Sequence, residues 1–304
     1  MSFPFEYDHG APLAFGGAMP VMRSFDESRV VILPVPVDRT TSYAPGTRNG
    51  PREILQASSH MELWDEEIGG DVHPIGIFTL PEMELSFGEL EALLTEIDRV
   101  ATEILSRDKF LVTLGGEHSI TPPLVAAAAR RYPGLSVLQI DAHADLRDCY
   151  MGTPHNHACA MRRSLEHARL TQVGIRSMSA EEAQVATSLD TTIFYDAFMR
   201  RDPSWVDRVV DTLADRVYLS IDVDGLDPAI MPATGTPEPG GLSWYETLAL
   251  LRAAVSRRTV VACDVVELCP IPGLLAPNFL CAKLIYKILA YRFAAELPRL
   301  QSSN

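Results

Sequence analysis

Short apolar runs alternate along this chain with amphipathic stretches, and each run gives way to polar or acidic residues. Runs at residues 30–33, 137–140, 170–175, 191–195 and 259–267, and two more opening the stretches 110–118 and 217–224, are rich in Val, Ile and Leu. Runs of this length suit strands covered on both faces of a sheet. Between them the spacing turns helical. Leu90, Leu93, Leu94, Ile97, Val100 and Ile104 place one amphipathic helix within residues 87–106. Further helices are predicted at 124–131, 180–186, 204–213 and 279–294, with Pro51 opening one that runs through Ile54 and Leu55. Ser243, with Glu246 three residues on, predicts a capping box for a helix reaching about residue 256. Strands alternating with helices imply parallel strands joined by crossovers, hence an α/β fold with a mainly parallel sheet and helices on both faces. Residues 1–25, with Pro4, Pro12, Pro20, Gly16 and Gly17, read as an irregular N-terminal arm.

The chemistry sits where the apolar runs stop. Residues 137–140 lead into Asp141, His143 and Asp145, and residues 217–221 lead into Asp222 and Asp224. The stretch from Phe110 ends in two glycines, Glu117 and His118. In extended backbone alternate residues share a face, so each acidic set is expected to point into one pocket. In open α/β sheets ligands bind beyond the carboxyl ends of the strands, where all three sets fall. Carboxylates in such a row are costly to bury unpaired, and a cation is the simplest compensation. Four carboxylates and two imidazoles exceed the needs of one ion and suit a pair of divalent ions. An oxygen-rich set with some imidazole favours Mn²⁺. Glu267, closing the run from Thr259, reads equally as an outer partner of that centre or as a substrate hook.

Composition narrows the partners. The formal charge of −14 argues against nucleic acid, which calls for clustered Lys and Arg, and agrees with a small cationic substrate. Five cysteines without CxxC spacing indicate neither a disulfide framework nor a zinc ribbon. The start lacks the basic and apolar regions of a signal peptide, and no apolar run approaches the roughly 20 residues of a membrane span. The expected setting is cytoplasmic, with no membrane partner.

Taken in order, Leu114-Gly-Gly-Glu-His-Ser-Ile, Ile140-Asp-Ala-His-Ala-Asp145 and Ser220-Ile-Asp-Val-Asp-Gly-Leu-Asp-Pro228, followed by Thr234-Gly-Thr-Pro-Glu-Pro-Gly-Gly241, resemble the signatures of the ureohydrolase family of arginases and agmatinases. The likeness runs from the loop at 45–51 to the helix at 279–294. It implies a three-layer, arginase-like α/β fold in a single ureohydrolase domain over residues 1–304. It also implies two Mn²⁺ ions per subunit and a homo-oligomer, trimer or hexamer. By motif position His118 and Asp145 would serve one ion and His143 and Asp224 the other, with Asp141 and Asp222 bridging. Glu267 takes the place of the family glutamate that holds the guanidinium. The implied reaction is attack of a metal-bridging hydroxide on the guanidinium carbon, with Asp145 passing a proton to the departing amine and His157 shuttling protons to solvent. His155 is the rival shuttle.

Residues 146–154 depart from the pattern by which arginases hold the amino-acid end of arginine, and residues 38–51 stand close to the agmatinase version. Agmatine, cleaved to putrescine and urea, is therefore the expected substrate. Guanidinobutyrase, arginase and a catalytically silent metal-binding member are the alternatives. His155 and Asp148 join Glu267 as substrate-side candidates, Asp148 suiting an amine-tailed substrate and Arg147 a carboxylate-tailed one.

Overall fold

Strands form here where β-branched and aliphatic residues run together, and helices where the apolar spacing widens. The computed structural model describes residues 13–17, 24–84 and 88–297. In chain order, β1 (Val30–Val35) leads to α1 (Gly50–Ser58), and β2 (Trp64–Asp65) and β3 (Gly70–Asp71) form a small antiparallel ribbon before β4 (Ile77–Thr79). Then come α2 (Leu90–Ser106), β5 (Phe110–Gly115), α3 (Thr121–Arg131), β6 (Ser136–Ile140), α4 (Ala160–Ser164), β7 (Arg169–Ile175) and α5 (Ala180–Ala186). The chain continues through β8 (Thr191–Tyr195), α6 (Asp196–Met199), α7 (Trp205–Thr212), β9 (Arg216–Asp222), α8 (Trp244–Arg257), β10 (Thr259–Val266) and α9 (Ala276–Phe293). Eight strands make one sheet in the order β4-β1-β5-β10-β9-β6-β7-β8, and every pair in it is parallel.

Alternation along the buried strands feeds two cores. Val30 and Ile32 of β1 and Phe110, Val112 and Leu114 of β5 pack with α1, α7, α8 and α9. Val31, Leu33, Val35 and Leu111 point the other way, to Leu93, Leu94 and Ile97 of α2, Leu124 of α3 and Met161 of α4. The result is the expected three-layer α/β arrangement, with the sheet between two helical layers. Prolines open α1, α3 and α9, and Ser179–Glu182 and Ser243–Glu246 complete capping boxes on α5 and α8.

The expected strands and helices are present with small shifts at their ends. The strands β2, β3 and β4 and the helices α4 and α6 are too short to show a period in the sequence. Most of the proposed arm at 1–25 lies outside the described residues. Within it, Phe15 is buried, and the amides of Phe15 and Gly16 donate to Thr79 Oγ1 and Ser58 Oγ, each at 3.0 Å. The five cysteines are unpaired. Among the described residues no helix is long and apolar enough to cross a membrane.

Candidate metal centre and substrate pocket

Four adjacent strands, β5, β10, β9 and β6, deliver the acidic sets to one place. Beyond β5 the amides of Gly116 and Glu117 donate to the carbonyls of Val35 and Val37 at 2.9 and 2.8 Å. A Cβ on Gly116 would fall 1.8 Å from the Val37 carbonyl oxygen, so only glycine permits this approach. His118 follows, buried, with Nδ1 3.2 Å from Asp141, 3.1 Å from Asp145 and 3.4 Å from Asp222. His143 Nδ1 lies 2.9 Å from Asp224 Oδ2 and 3.7 Å from Asp141 Oδ1. The six predicted ligands thus converge, and two groups that can hold an ion share Asp141: His118, Asp141 and Asp145, and Asp141, His143 and Asp224.

The local reason for this convergence differs from strand alternation. β6 ends at Ile140, the His143 amide turns back onto Asp141 Oδ1 at 2.6 Å, and Asp145 takes a left-handed φ of 52°. Asp222 is the last residue of β9, and Asp224 lies in a tight turn whose amide donates to Asp222 Oδ1 at 2.9 Å. Side-chain-to-backbone bonds in turns, rather than the two-residue pleat, aim these carboxylates.

The electrostatics fit a cationic occupant. Asp141, Asp145, Asp222 and Asp224 are all nearly or fully buried. Burial, with Asp224 and Asp145 beside it, pushes Asp141 up to about 8, and burial and the same crowding raise Asp222. Burial pulls the histidines down, yet surrounding carboxylates raise His118 and bring His143 to about 11. His118 Nδ1 is buried with no well-aligned hydrogen-bond partner while facing three carboxylates, as expected of a ligand atom. Its other nitrogen, Nε2, sits 2.9 Å from Ser220 Oγ, which donates to Asp264 Oδ1 at 2.8 Å. Asp264, buried in β10, also accepts from Tyr218 OH and Thr121 Oγ1 at 2.7 and 2.9 Å. Ser220 therefore accepts the Nε2 proton, and the Nδ1 lone pair is left for a metal.

A cavity of about 250 Å³ opens over this centre, lined by His143, Asp145, Arg147, Tyr150, His157 and Glu267 among others. Glu267 has a left-handed φ of 65°, and its Oε1 accepts the His118 amide at 2.7 Å. Burial raises its pKa against the pull of His157, whose Nδ1 is 3.7 Å away. Burial lowers His157, but Glu267 outweighs it and the net direction is upward. The His157 Nε2 is buried without a partner. The loop carrying His157 is tied down by Thr40 Oγ1, which accepts the His157 amide at 2.9 Å and donates to Glu117 Oε1 at the same distance.

Two candidates fall elsewhere. Asp148 is exposed and bound to Arg163, with Arg162 at 3.6 Å, and does not line the cavity that Arg147 lines. His155 approaches Glu91 at 4.0 Å and is not among the cavity-lining residues. Arg147 stacks 4.7 Å from the Tyr150 ring centroid and lies 3.7 Å from Glu182. Sequence reasoning passed over Glu117, Ser220, Asp264, Gln139 and Gln172. For Ser220, Asp264, Gln139 and Gln172 a polar or charged residue within an otherwise apolar strand was the available signal, since each such group needs a buried partner; Glu117 lies beyond the end of β5 and gave no such signal.

The sequence profile of the arginase family matches residues 28–290. The N(1)-aminopropylagmatine ureohydrolase of Synechocystis sp. is 39% identical, over 88% of this chain and 90% of its own length. The agmatinase of Bacillus cereus is 36% identical, over 82% of this chain and 86% of that protein. Among solved structures, the agmatine ureohydrolase of Thermoplasma volcanium superposes with a TM-score of 0.85 at 31% identity, covering 94% of this chain and 96% of that one.

Proposed function

The chain belongs to the arginase family as a ureohydrolase of the agmatinase type, and from that premise we propose that it hydrolyses agmatine to putrescine and urea with two Mn²⁺ ions. The observation that carries this reading is the position of Glu267, a buried carboxylate beside two ligand groups that share Asp141. A guanidinium stays protonated at every working pH and presents paired N–H donors that match a carboxylate. When bound, the ions supply Lewis acidity and a water made nucleophilic near neutral pH.

The chain's own residues do the rest. Glu267 orients the guanidinium plane across the cavity floor. Hydrolysis forms a carbon–oxygen bond at the guanidinium carbon and breaks its bond to the alkyl nitrogen, which must gain a proton. Asp145, which belongs to a ligand group and also lines the cavity, carries that proton, and His157 exchanges it with solvent.

A second reading is N(1)-aminopropylagmatine, favoured by relatives of that name at 39% and 38% identity. It shares the guanidinobutyl end and would release spermidine. The test offers the manganese-loaded protein both compounds at equal concentration, with arginine and 4-guanidinobutyrate as controls, and measures urea and the amine product. Higher kcat/KM for agmatine supports the first reading. A preference for the aminopropyl compound replaces it with the second, and turnover of neither refutes both.

A further inference from the structure

Beneath the ligands the sheet carries a row of buried polar side chains. Thr113, Asp264, Ser220, Gln139 and Gln172 are partners in register across β5, β10, β9, β6 and β7, and all are at 0% exposure. One arm, Ser220 and Asp264, ends on His118. The other arm has no place in the chemistry described so far.

Gln139 Nε2 donates to Asp141 Oδ2 at 2.6 Å. Its Oε1 accepts from Gln172 Nε2 at 2.6 Å, and Gln172 Nε2 also donates to the Ala144 carbonyl at 2.7 Å. Thr191 Oγ1, from β8, donates to Gln172 Oε1 at 3.0 Å. An amide left to itself can flip; this chain cannot do so freely. The Ala144 carbonyl demands a donor and the Thr191 hydroxyl supplies one, so Gln172 has one orientation and imposes one on Gln139. An N–H is thereby fixed toward Asp141.

The consequence falls on the carboxylate shared by both ligand groups. Asp141 Oδ2 accepts from Gln139 and faces His118, while Oδ1 accepts from the His143 amide at 2.6 Å and faces His143. One donor on each oxygen fixes the carboxylate plane and leaves each oxygen directed at a different ion position. We propose that Gln139 and Gln172 are positioning residues that hold Asp141 as the bridge between two ions. Apolar side chains of similar volume would fill the same space without the risk of unsatisfied buried amides, so the polar chain is explained by where it ends. This inference rests on the two-ion reading of the site.

Two variants test it. Gln139→Leu removes the donor, and Gln172→Glu keeps the volume but cannot donate to Gln139, which then turns its own N–H₂ away from Asp141. Each purified variant is checked for fold by circular dichroism, titrated with Mn²⁺ by calorimetry and examined by electron paramagnetic resonance for the coupled pair. The expected result is wild-type secondary structure, roughly 10- to 100-fold weaker binding of at least one ion, and loss of the coupled signal. Substrate KM should change little while kcat falls. If Gln139→Leu does not fold, Gln172→Glu decides alone. A folded variant that binds both ions with wild-type affinity and keeps the coupled signal overturns the proposal, even if it melts at a lower temperature. A wild-type chain that binds fewer than two ions overturns the two-ion reading as well.

Discussion

Replacing Glu267 with glutamine isolates one charge. The amide keeps the shape of the carboxylate, and its carbonyl oxygen can still accept the His118 amide now bound at 2.7 Å. Alanine would be a poorer probe, since leaving that buried N–H unpaired costs about 1–3 kcal/mol and would disturb a metal ligand. With glutamine, the substrate guanidinium enters a buried site and finds a neutral partner. Removing one member of a buried ion pair costs on the order of 3–5 kcal/mol, and about 1.4 kcal/mol is a decade in rate, so kcat/KM should fall roughly 10²- to 10⁴-fold. Glu267 belongs to neither ligand group, so manganese content should stay at the wild-type value. Urea release over a range of agmatine concentrations gives the first number, and elemental analysis of the same preparation the second. A variant holding both ions with kcat/KM within about threefold of wild type would falsify the assignment of Glu267 as guanidinium partner.

Asp148→Ala should leave kcat/KM within about twofold and stability nearly unchanged, since the residue forms exposed ion pairs away from the cavity; urea assays and thermal melts decide. Gly116→Ala places a Cβ 1.8 Å from the Val37 carbonyl, so β5 or its neighbour must shift. A loss of about 3 kcal/mol in denaturant unfolding, with weaker manganese binding as His118 moves, is expected. In the ion-free protein, burial lowers His143 but Asp224 and its neighbours raise it from 6.5 to about 11. The sign follows: the stability it contributes is complete below pH 6.5 and is lost as pH rises toward 11. Metal uptake must displace that proton, so apparent Mn²⁺ affinity should increase from pH 6 to 8, about tenfold per pH unit for each proton released. Calorimetry in buffers of different ionisation enthalpy counts the protons, and affinity independent of pH would contradict the picture.

The parts of this protein that could be read from its sequence are those with a strong local reason. Val and Ile runs have few alternatives to buried strands, and acids placed just past them have few uses in a sheet protein, so the six ligands stood out. The turns that aim them did not. Nothing in Ala142 or Ala144 announces that Asp145 adopts a left-handed φ. The same holds for Asp148 and Arg147. They are neighbours in sequence, and only the position of Arg163 on α4 shows which of the two turns from the cavity. Gln139 and Gln172 were visible as polar residues in apolar strands, but their meaning depends on register across β6 and β7.

The sheet order has a consequence for how the molecule comes into being. β10 lies between β5 and β9, so within the sheet the half built from β4, β1 and β5 pairs with the half built from β9, β6, β7 and β8 through a strand that follows both in the chain. During synthesis His118 can be made and folded into its half long before it has Asp222 opposite. Pairings of such long sequence separation form slowly, and an unpaired parallel edge is exposed to aggregation while it waits. The ligand group that includes His118 is thus a late product of folding. Until residues 259–266 have slotted in, His118 stands on one half of the sheet and Asp141 and Asp145 on the other, so the ligand group that needs all three is incomplete.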